Sequence, residues 1–335
     1  MKLISVGDWH LRGTNPRNRT DDYVATLKAK LTEVFSLAWQ HHAEAIIVPG
    51  DIWDSFVVAI SVLLDFANLI KDTAPCRIIT TVGNHDVQGY NLVTYWRSSL
   101  RLLELLVPQL EVYMDPSKPV YFPNEPGLPG ISITFTPYSG KIDKDGYGYS
   151  PEVPEKYYDS FYPRPKTIHV AHGMALDHIP PFDRYSLIQH MKTDADLVIT
   201  GHDHTGYGLY RRADGKVFMN FGALPRIQAS MNEMERKIQV ALIELTDAGQ
   251  FEITPIKLLT AKPGPEVLDR SKIESEKQRQ YTMDNFAALI QQNTGQAVLL
   301  DVNQIVETIA EQDSMAPEIV SLALKKIDEM REKVA

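Results

Sequence analysis

Five short stretches carry residues suited to one kind of chemistry: Gly7-Asp8-Trp9-His10, Gly50-Asp51-Ile52-Trp53-Asp54, Gly83-Asn84-His85-Asp86, His172-Gly173 and Gly201-His202-Asp203-His204. They hold carboxylates, an amide and imidazoles, with no thiolate. That N/O donor set suits manganese, iron or zinc better than calcium. Asp8 and His10 are two residues apart, as are His202 and His204, so in extended backbone each pair projects to one side. Together the stretches offer more donors than one tetrahedral ion takes, and they suit two ions that share a carboxylate. Such a pair polarises a phosphoryl group and stabilises both the attacking and the leaving oxygen. A metal-bound water with a pKa near 7 supplies hydroxide at neutral pH.

Each stretch follows a β-like run, and in four of them a glycine stands just before a metal-capable residue. The runs "LISV" (3–6), "AIIVP" (45–49) and "RIITTV" (77–82) alternate with helix-like segments at about 21–42, 55–71 and 91–106. That alternation predicts βαβ units and a parallel sheet. In an open α/β sheet the carboxyl ends of the strands form the crevice, so all five stretches can converge there. From about Glu111 the pattern changes to strands: "EVYM", "VYF" and "ISITFT". After Asp183 one helix is expected, then "DLVIT", "KVFMNF", "QVALIEL" and "FEITPIKL", with "DG" and "DAG" turns that favour hairpins. The simplest architecture is two facing sheets with helices outside. Residues 263–335 change again to a helical period: Val298, Val302, Ile305, Val306 and Ile309 share one face, as do Ile319, Ala323, Ile327 and Met330. The expected division is therefore 1–262 and a helical module over 263–335.

The chain has 335 residues, 44% hydrophobic and 23% charged, enough for one large domain and a small one. A single cysteine, Cys76, excludes an internal disulfide framework and fits a reducing, cytoplasmic compartment. The apolar run at the N-terminus meets Asp8 and is too short for a signal peptide. No run reaches the roughly 18 apolar residues of a membrane helix, so no membrane partner is expected. The net charge of −9 gives no global attraction to nucleic acid, although local patches decide that question.

The motif series DxH, GDxxD, GNH(D/E), H and GHxH resembles that of the calcineurin-like metallophosphoesterase superfamily, over residues 1 to about 260. The resemblance implies a four-layer αββα sandwich and a two-metal phosphoesterase. It implies that Asp8, His10 and His204 hold one ion, that Asn84, His172 and His202 hold the other, and that Asp51 bridges them. His85 is then not a ligand but stands over the substrate as leaving-group acid, with Asp54 and Asp86 supporting. His169 is the rival ligand to His172, but only His172 meets the glycine that opens a loop. Protein phosphatases of this kind carry an arginine after the second motif and Glu at the end of the third. Here Ser55-Phe56 and Asp86 stand there, and no extra cationic clamp lies beside the motifs, so a diester is favoured over a monoester. "GDWHL", "GDIWDS", "GNHD" and "NFGALPR" (220–226) are most similar to SbcD-type DNA-repair nucleases and their phage counterparts. That likeness implies DNA cleavage in repair or recombination, the use of two Mn2+ ions with Fe or Zn as alternatives, and an SbcC-type coiled-coil ATPase docked on the C-terminal helices. A small-molecule or cyclic-nucleotide diesterase, or a non-catalytic scaffold, would use the same fold. Arg12 displaces the glycine expected after "HL", and the tail lacks the usual capping segment.

Several weaker features complete the reading. Arg12, Arg17 and Arg19 crowd the loop after the first motif, and Arg211, Arg212 and Arg226 flank the last ones. They are candidates for DNA phosphates, or for an ordinary solvated surface. Tyr138, Tyr147, Tyr149, Tyr157, Tyr158, Phe161 and Tyr162 fall among Lys, Pro and Gly, which suits either base stacking or packing on their own domain. His41, His42, His178 and His190 read as surface or helix-end residues. The C-terminal helices suit a partner, a homodimer, or packing on their own chain.

Overall fold

In this computed structural model the described residues are 1–143, 163–271, 273–279 and 315–334, with isolated positions at 281, 283, 306 and 310. The chain divides into two compact units, Met1–Arg270 and Ser271–Ala335. Within the described residues of the first unit the strands are β1 (Lys2–Ser5), β2 (Ala45–Val48), β3 (Arg77–Thr80), β4 (Leu110–Val112), β5 (Val120–Phe122), β6 (Ile131–Thr136), β7 (Lys166–His172), β8 (Ala175–Leu176), β9 (Ser186–Leu187), β10 (Leu197–Gly201), β11 (Gly208–Arg211), β12 (Val217–Asn220), β13 (Gln239–Leu245) and β14 (Phe251–Lys257). The helices are α1 (Tyr23–Gln40), α2 (Ile60–Thr73), α3 (Ser99–Leu106), α4 (Met231–Glu235) and α5 (Gly264–Val267).

Two six-stranded sheets result, ordered β14-β13-β1-β2-β3-β4 and β11-β12-β10-β7-β6-β5. In the first, β1 to β4 run parallel and β13 and β14 add an antiparallel edge. In the second, β6, β7, β10 and β12 are parallel, with antiparallel β5 and β11 outside them. Strand β2 is apolar throughout because both its faces are covered. Ile46 and Val48 meet the helices with Leu31, Val34 and Phe66, whereas Ala45 and Ile47 meet Ile168, Val170 and Ile199 between the sheets. The same alternation of period two sorts β1, β3 and β10. This is the expected mixed α/β sandwich. Cys76 packs beside the helical core, and burial pushes its thiol up to about 11.

Three details differ from the sequence reading. The segment expected as one helix over 91–106 is a 3-10 turn at Leu92–Arg97 followed by α3, because Ser98 accepts from the Arg101 backbone N–H and caps a new helix. No helix forms between Asp183 and β10: strand β9, paired with β8, and loops stand there instead. Ile188, Met191 and Ala195 from this segment pack with Tyr138 and Ile142 against Val198 and Phe218, so they cover part of the outer face of the second sheet. Residues 263–270 stay with the first unit rather than the tail. They are held by hydrogen bonds from Thr20 N to Val267 O (3.1 Å) and from Asp269 N to Asn18 O (2.9 Å).

In the second unit the helix Pro317–Val334 covers the predicted period at Ile319 and Ala323. Val298, Val302, Ile305 and Ile309, and the side chains of Ile327 and Met330, lie outside the described residues, as do Tyr147, Tyr149, Tyr157, Tyr158, Phe161 and Tyr162. No helix among the described residues is long and apolar enough to cross a membrane.

Candidate metal centre

All five stretches leave the carboxyl ends of parallel strands, β1, β2, β3, β7 and β10, and meet at one edge of the sandwich. Three groups of side chains converge there, each with its ligand atoms within 4.8 Å of one another: Asp8, His10, Asp51 and His204; Asp51, His172 and His202; His10, Asp54 and His85. Asp51 belongs to the first two. Its Oδ2 lies 3.7 Å from His10 Nε2 and 3.3 Å from His172 Nε2, and it is buried without a hydrogen-bond partner. The Oδ1 of Asp8 is orphaned in the same way. Two buried carboxylate oxygens without donors demand positive charge between them. The Nε2 atoms of His10 and His204 approach to 2.9 Å, and Asn84 Oδ1 lies 3.0 Å from His172 Nε2. The residues present therefore fit two cations around a shared Asp51.

The backbone is arranged for this convergence. His10, Asp51 and His202 take positive φ of 45°, 48° and 76°, a left-handed conformation that non-glycine residues adopt at a cost of about 1–3 kcal/mol. The glycines matter for proximity as well as for the backbone, Gly50 having a φ of 114°. A Cβ on Gly201 would lie 2.5 Å from Asp8 Oδ1, one on Gly50 would lie 2.6 Å from His172 Nδ1, and one on Gly83 would overlap the Asp51 carboxylate. Each glycine makes room for a side chain of another stretch.

Second contacts set the ring orientations. His172 Nδ1 meets the Pro49 carbonyl at 2.8 Å, and His85 Nδ1 meets the Asp54 carbonyl at 2.9 Å. With Nδ1 held on a carbonyl, each ring keeps Nε2 as its remaining nitrogen. Asp8 Oδ2 accepts from the His202 backbone N–H, and Asp51 Oδ1 from that of His85. Burial favours the neutral form of Asp51, but His172 and His10 outweigh it and hold the carboxyl below its ordinary range. Burial opposes charge on His172 too, yet Asp51 pushes it up to about 9. Burial, aided by neighbouring imidazoles, depresses His202 to about 3 and His204 to about 2, so both are neutral and ready to ligate. Burial raises the Asp8 carboxyl.

The supporting residues divide. Asp54 places Oδ1 3.5 Å from His10 Nδ1 and accepts from Arg12 at 2.8 Å, so it stands between the His10 ring and that guanidinium. Asp86 is not in the convergent set: it is buried and accepts from the backbone N–H groups of Gly83 (3.0 Å), Trp53 (3.1 Å) and Ile52 (3.4 Å). Its part is to clamp the second loop to the third rather than to touch a reacting group. Burial and Asp51 push it up to about 6. His169 is bonded by Thr134 and Thr136 on β6 and takes no part, and burial lowers it to about 3.

The arginines divide too. Arg17 is exposed and Arg12 is half-buried, paired to Asp54. The expectation of a phosphate contact does not suit Arg19 or Arg226, which are buried with their guanidinium groups committed. Arg19 grips Asp21 through two bonds and donates to Arg226 O. Arg226 donates to the carbonyls of Glu233 and Arg236. Arg212 is held by Asp214, Ile188 O and Met191 O, which leaves Arg211 exposed on its strand.

Two features escaped the sequence reading. Four consecutive carbonyls in "NFGALPR" are met by buried cations: Ala223 and Pro225 by Arg236, Leu224 by Lys30 and Arg226 by Arg19. The same ribbon donates from Leu224 N to Asp8 O (2.8 Å) and from Ala223 N to His204 O (3.0 Å), which ties the first ligand loop to the last. Secondly, a cation does stand near the motifs. Arg184 lies over the Tyr138 ring at 5.4 Å, that ring is 5.5 Å from His202, and the Arg184 charge acts on His202. It already donates to Ser139 O at 2.9 Å.

A family model for calcineurin-like phosphoesterases matches residues 1–206. The chain belongs to that family, whose members are metal-dependent hydrolases. Comparison with curated proteins finds no match. Among solved structures, TT1561 of Thermus thermophilus is similar at 12% identity and a TM-score of 0.40, over 76% of this chain and 98% of its own.

Proposed function

We propose that the chain hydrolyses phosphodiester bonds of DNA with two divalent cations, in the manner of an SbcD-type nuclease. The observation that carries the two-cation part is Asp51 Oδ2, buried and without a donor between His10 and His172. Asp8, His10 and His204 would hold one cation, Asn84, His172 and His202 the other, and Asp51 both. The cations, manganese by preference, supply charge to the phosphoryl oxygens and lower the pKa of the attacking water. His85 keeps its ring fixed through Nδ1 on the Asp54 carbonyl and presents Nε2 to protonate the leaving oxygen, a contribution of about 10²–10⁴ in rate.

A diester fits because the cations found near the centre among the described residues are already engaged, Arg12 with Asp54 and Arg184 with Ser139. DNA as the substrate rests on the motif likeness and on Arg17 at the surface. The burial of Arg19 and Arg226 supports a second reading, a small diester such as a cyclic nucleotide. Ile319 and Leu322 on the tail helix are exposed and suit an ATPase partner or a second copy.

The test is cleavage of single-stranded, duplex and hairpin DNA and of small diesters with Mn2+, Mg2+ or Zn2+, with and without an SbcC-type ATPase. Release of nucleotides from DNA is expected. Turnover of small diesters alone would move the assignment to the second reading, and no turnover of any diester would end the catalytic one.

A further inference from the structure

One cavity opens directly on the centre. It has a volume of about 440 Å³, and His85, His202 and His204 form one of its walls. That volume lies within the roughly 300–1,000 Å³ of small-molecule sites. Its apolar lining includes Met174, Leu176, Pro181 and Phe182. Two carboxamides, Gln228 and Asn232, also line it. Among the described residues no lysine or arginine lines it. Its acids are engaged: Asp203 accepts from Thr205 and Gly206, and Glu233 pairs with Arg236. His178, also in the lining, pairs with Asp177.

This composition selects among the parts of a nucleotide chain. Contacts to a phosphate backbone run through Lys and Arg, and the described lining has neither. A flat, uncharged heterocycle is what an exposed aromatic face and amide groups recognise, by stacking and by donor–acceptor pairing. Phe182 is 45% exposed, and an edge contact with Tyr185 at 6.3 Å holds its ring. Both Phe182 and the amides share the cavity with the imidazoles of the centre, so a base there would be attached to a phosphate at the metals.

We propose that this cavity is a base subsite, which takes one unpaired nucleobase next to the scissile phosphate and stacks it on Phe182. The inference rests on the two-metal diesterase reading for the position of the phosphate. It implies that a duplex must fray by at least one base before its terminal phosphate reaches the cations.

The test reads binding, so it does not depend on turnover. Calorimetry with the Mn2+-loaded full chain compares deoxyadenosine 5′-monophosphate with methyl phosphate, which share the phosphate and differ in the base. The affinity ratio is expected to be about tenfold or more, within what base–aromatic stacking supplies. Phe182→Ala should bring the ratio toward one and Phe182→Trp should restore it; truncation of so exposed a ring leaves the fold intact. Equal affinities in the unsubstituted protein, or a ratio that survives Phe182→Ala, would overturn the subsite. A Phe182-dependent ratio in a protein that cleaves no diester would uphold the subsite and remove the catalytic reading, so the two can fail separately.

Discussion

Gly201 carries no side chain where Asp8 needs the space: a Cβ at Gly201 would lie 2.5 Å from Asp8 Oδ1. The clash is purely steric, because Gly201 closes strand β10 in an ordinary extended register opposite His172. Asp8 cannot move aside, being buried and held through Oδ2 by the His202 N–H. Gly201→Ala is therefore expected to displace the Asp8 carboxylate and lower metal content at the first position. Overpacking of this kind costs about 1–3 kcal/mol of stability. Elemental analysis together with urea denaturation checks both; full metal content would refute the argument.

His85→Ala and Asp51→Ala should part company. The first removes a ring whose Nδ1 is bonded to the Asp54 carbonyl, leaves both groups around Asp51 intact, and should lower turnover by about 10²–10⁴ while both ions stay bound. The second removes the one carboxylate common to both groups, and both ions should be lost. Metal stoichiometry after dialysis separates the cases, and loss of metal from His85→Ala would contradict its place as acid.

Lys30 predicts a pH effect on stability. Burial first, then the charges of Arg19, Arg236 and Arg226, depress its ammonium to about 7 from an ordinary 10.5. Between those values the unfolded chain holds a proton that the folded chain has given up, so stability rises with pH across the window, by at most about 1.4 kcal/mol per pH unit. Below pH 7 the penalty of the buried charge is complete. The stability difference between the natural chain and Lys30→Met should thus grow in favour of the natural chain from about pH 7 to 10.5; a flat difference would show that Lys30 keeps its proton.

Arginine substitutions should sort by burial. Arg17→Ala leaves the fold unchanged and, if DNA is bound there, reduces the salt dependence of binding by about one phosphate contact, a change of roughly 0.7–0.9 in the slope of log K against log salt. Arg226→Ala strips the buried carbonyls of Glu233 and Arg236 of their donor and should cost about 1–3 kcal/mol in stability. Thermal denaturation and salt-titrated binding on the two variants decide it.

What is legible in the sequence is local. Strand β2 and its neighbours announce themselves by short apolar runs, and the convergent residues by lying just past them. Asp51 and His172 can be placed at one edge because both follow such runs. What is not legible is pairwise and distant. Lys30 meets Leu224, 194 residues on, and no pattern near either residue says so. Arg226 reads as a surface arginine because nothing beside it in sequence shows the carbonyls that claim it. Ser98 is a cap inside a segment whose apolar spacing continues through it. Residues 184–195 have helical-looking composition, but they are spent on covering Val198 and Phe218.

The ribbon from Ala223 to Arg226 bears on how the protein is made. Its carbonyls are met from the N-terminal side by Arg19 and Lys30 and from the C-terminal side by Arg236, while its N–H groups hold the loops of Asp8 and His204. A polypeptide released from the ribosome before this ribbon is synthesised would carry every residue of the convergent set, yet it would lack the strap that closes the first loop on the last. Closure of the first loop on the last thus depends on residues that follow the whole convergent set in the chain.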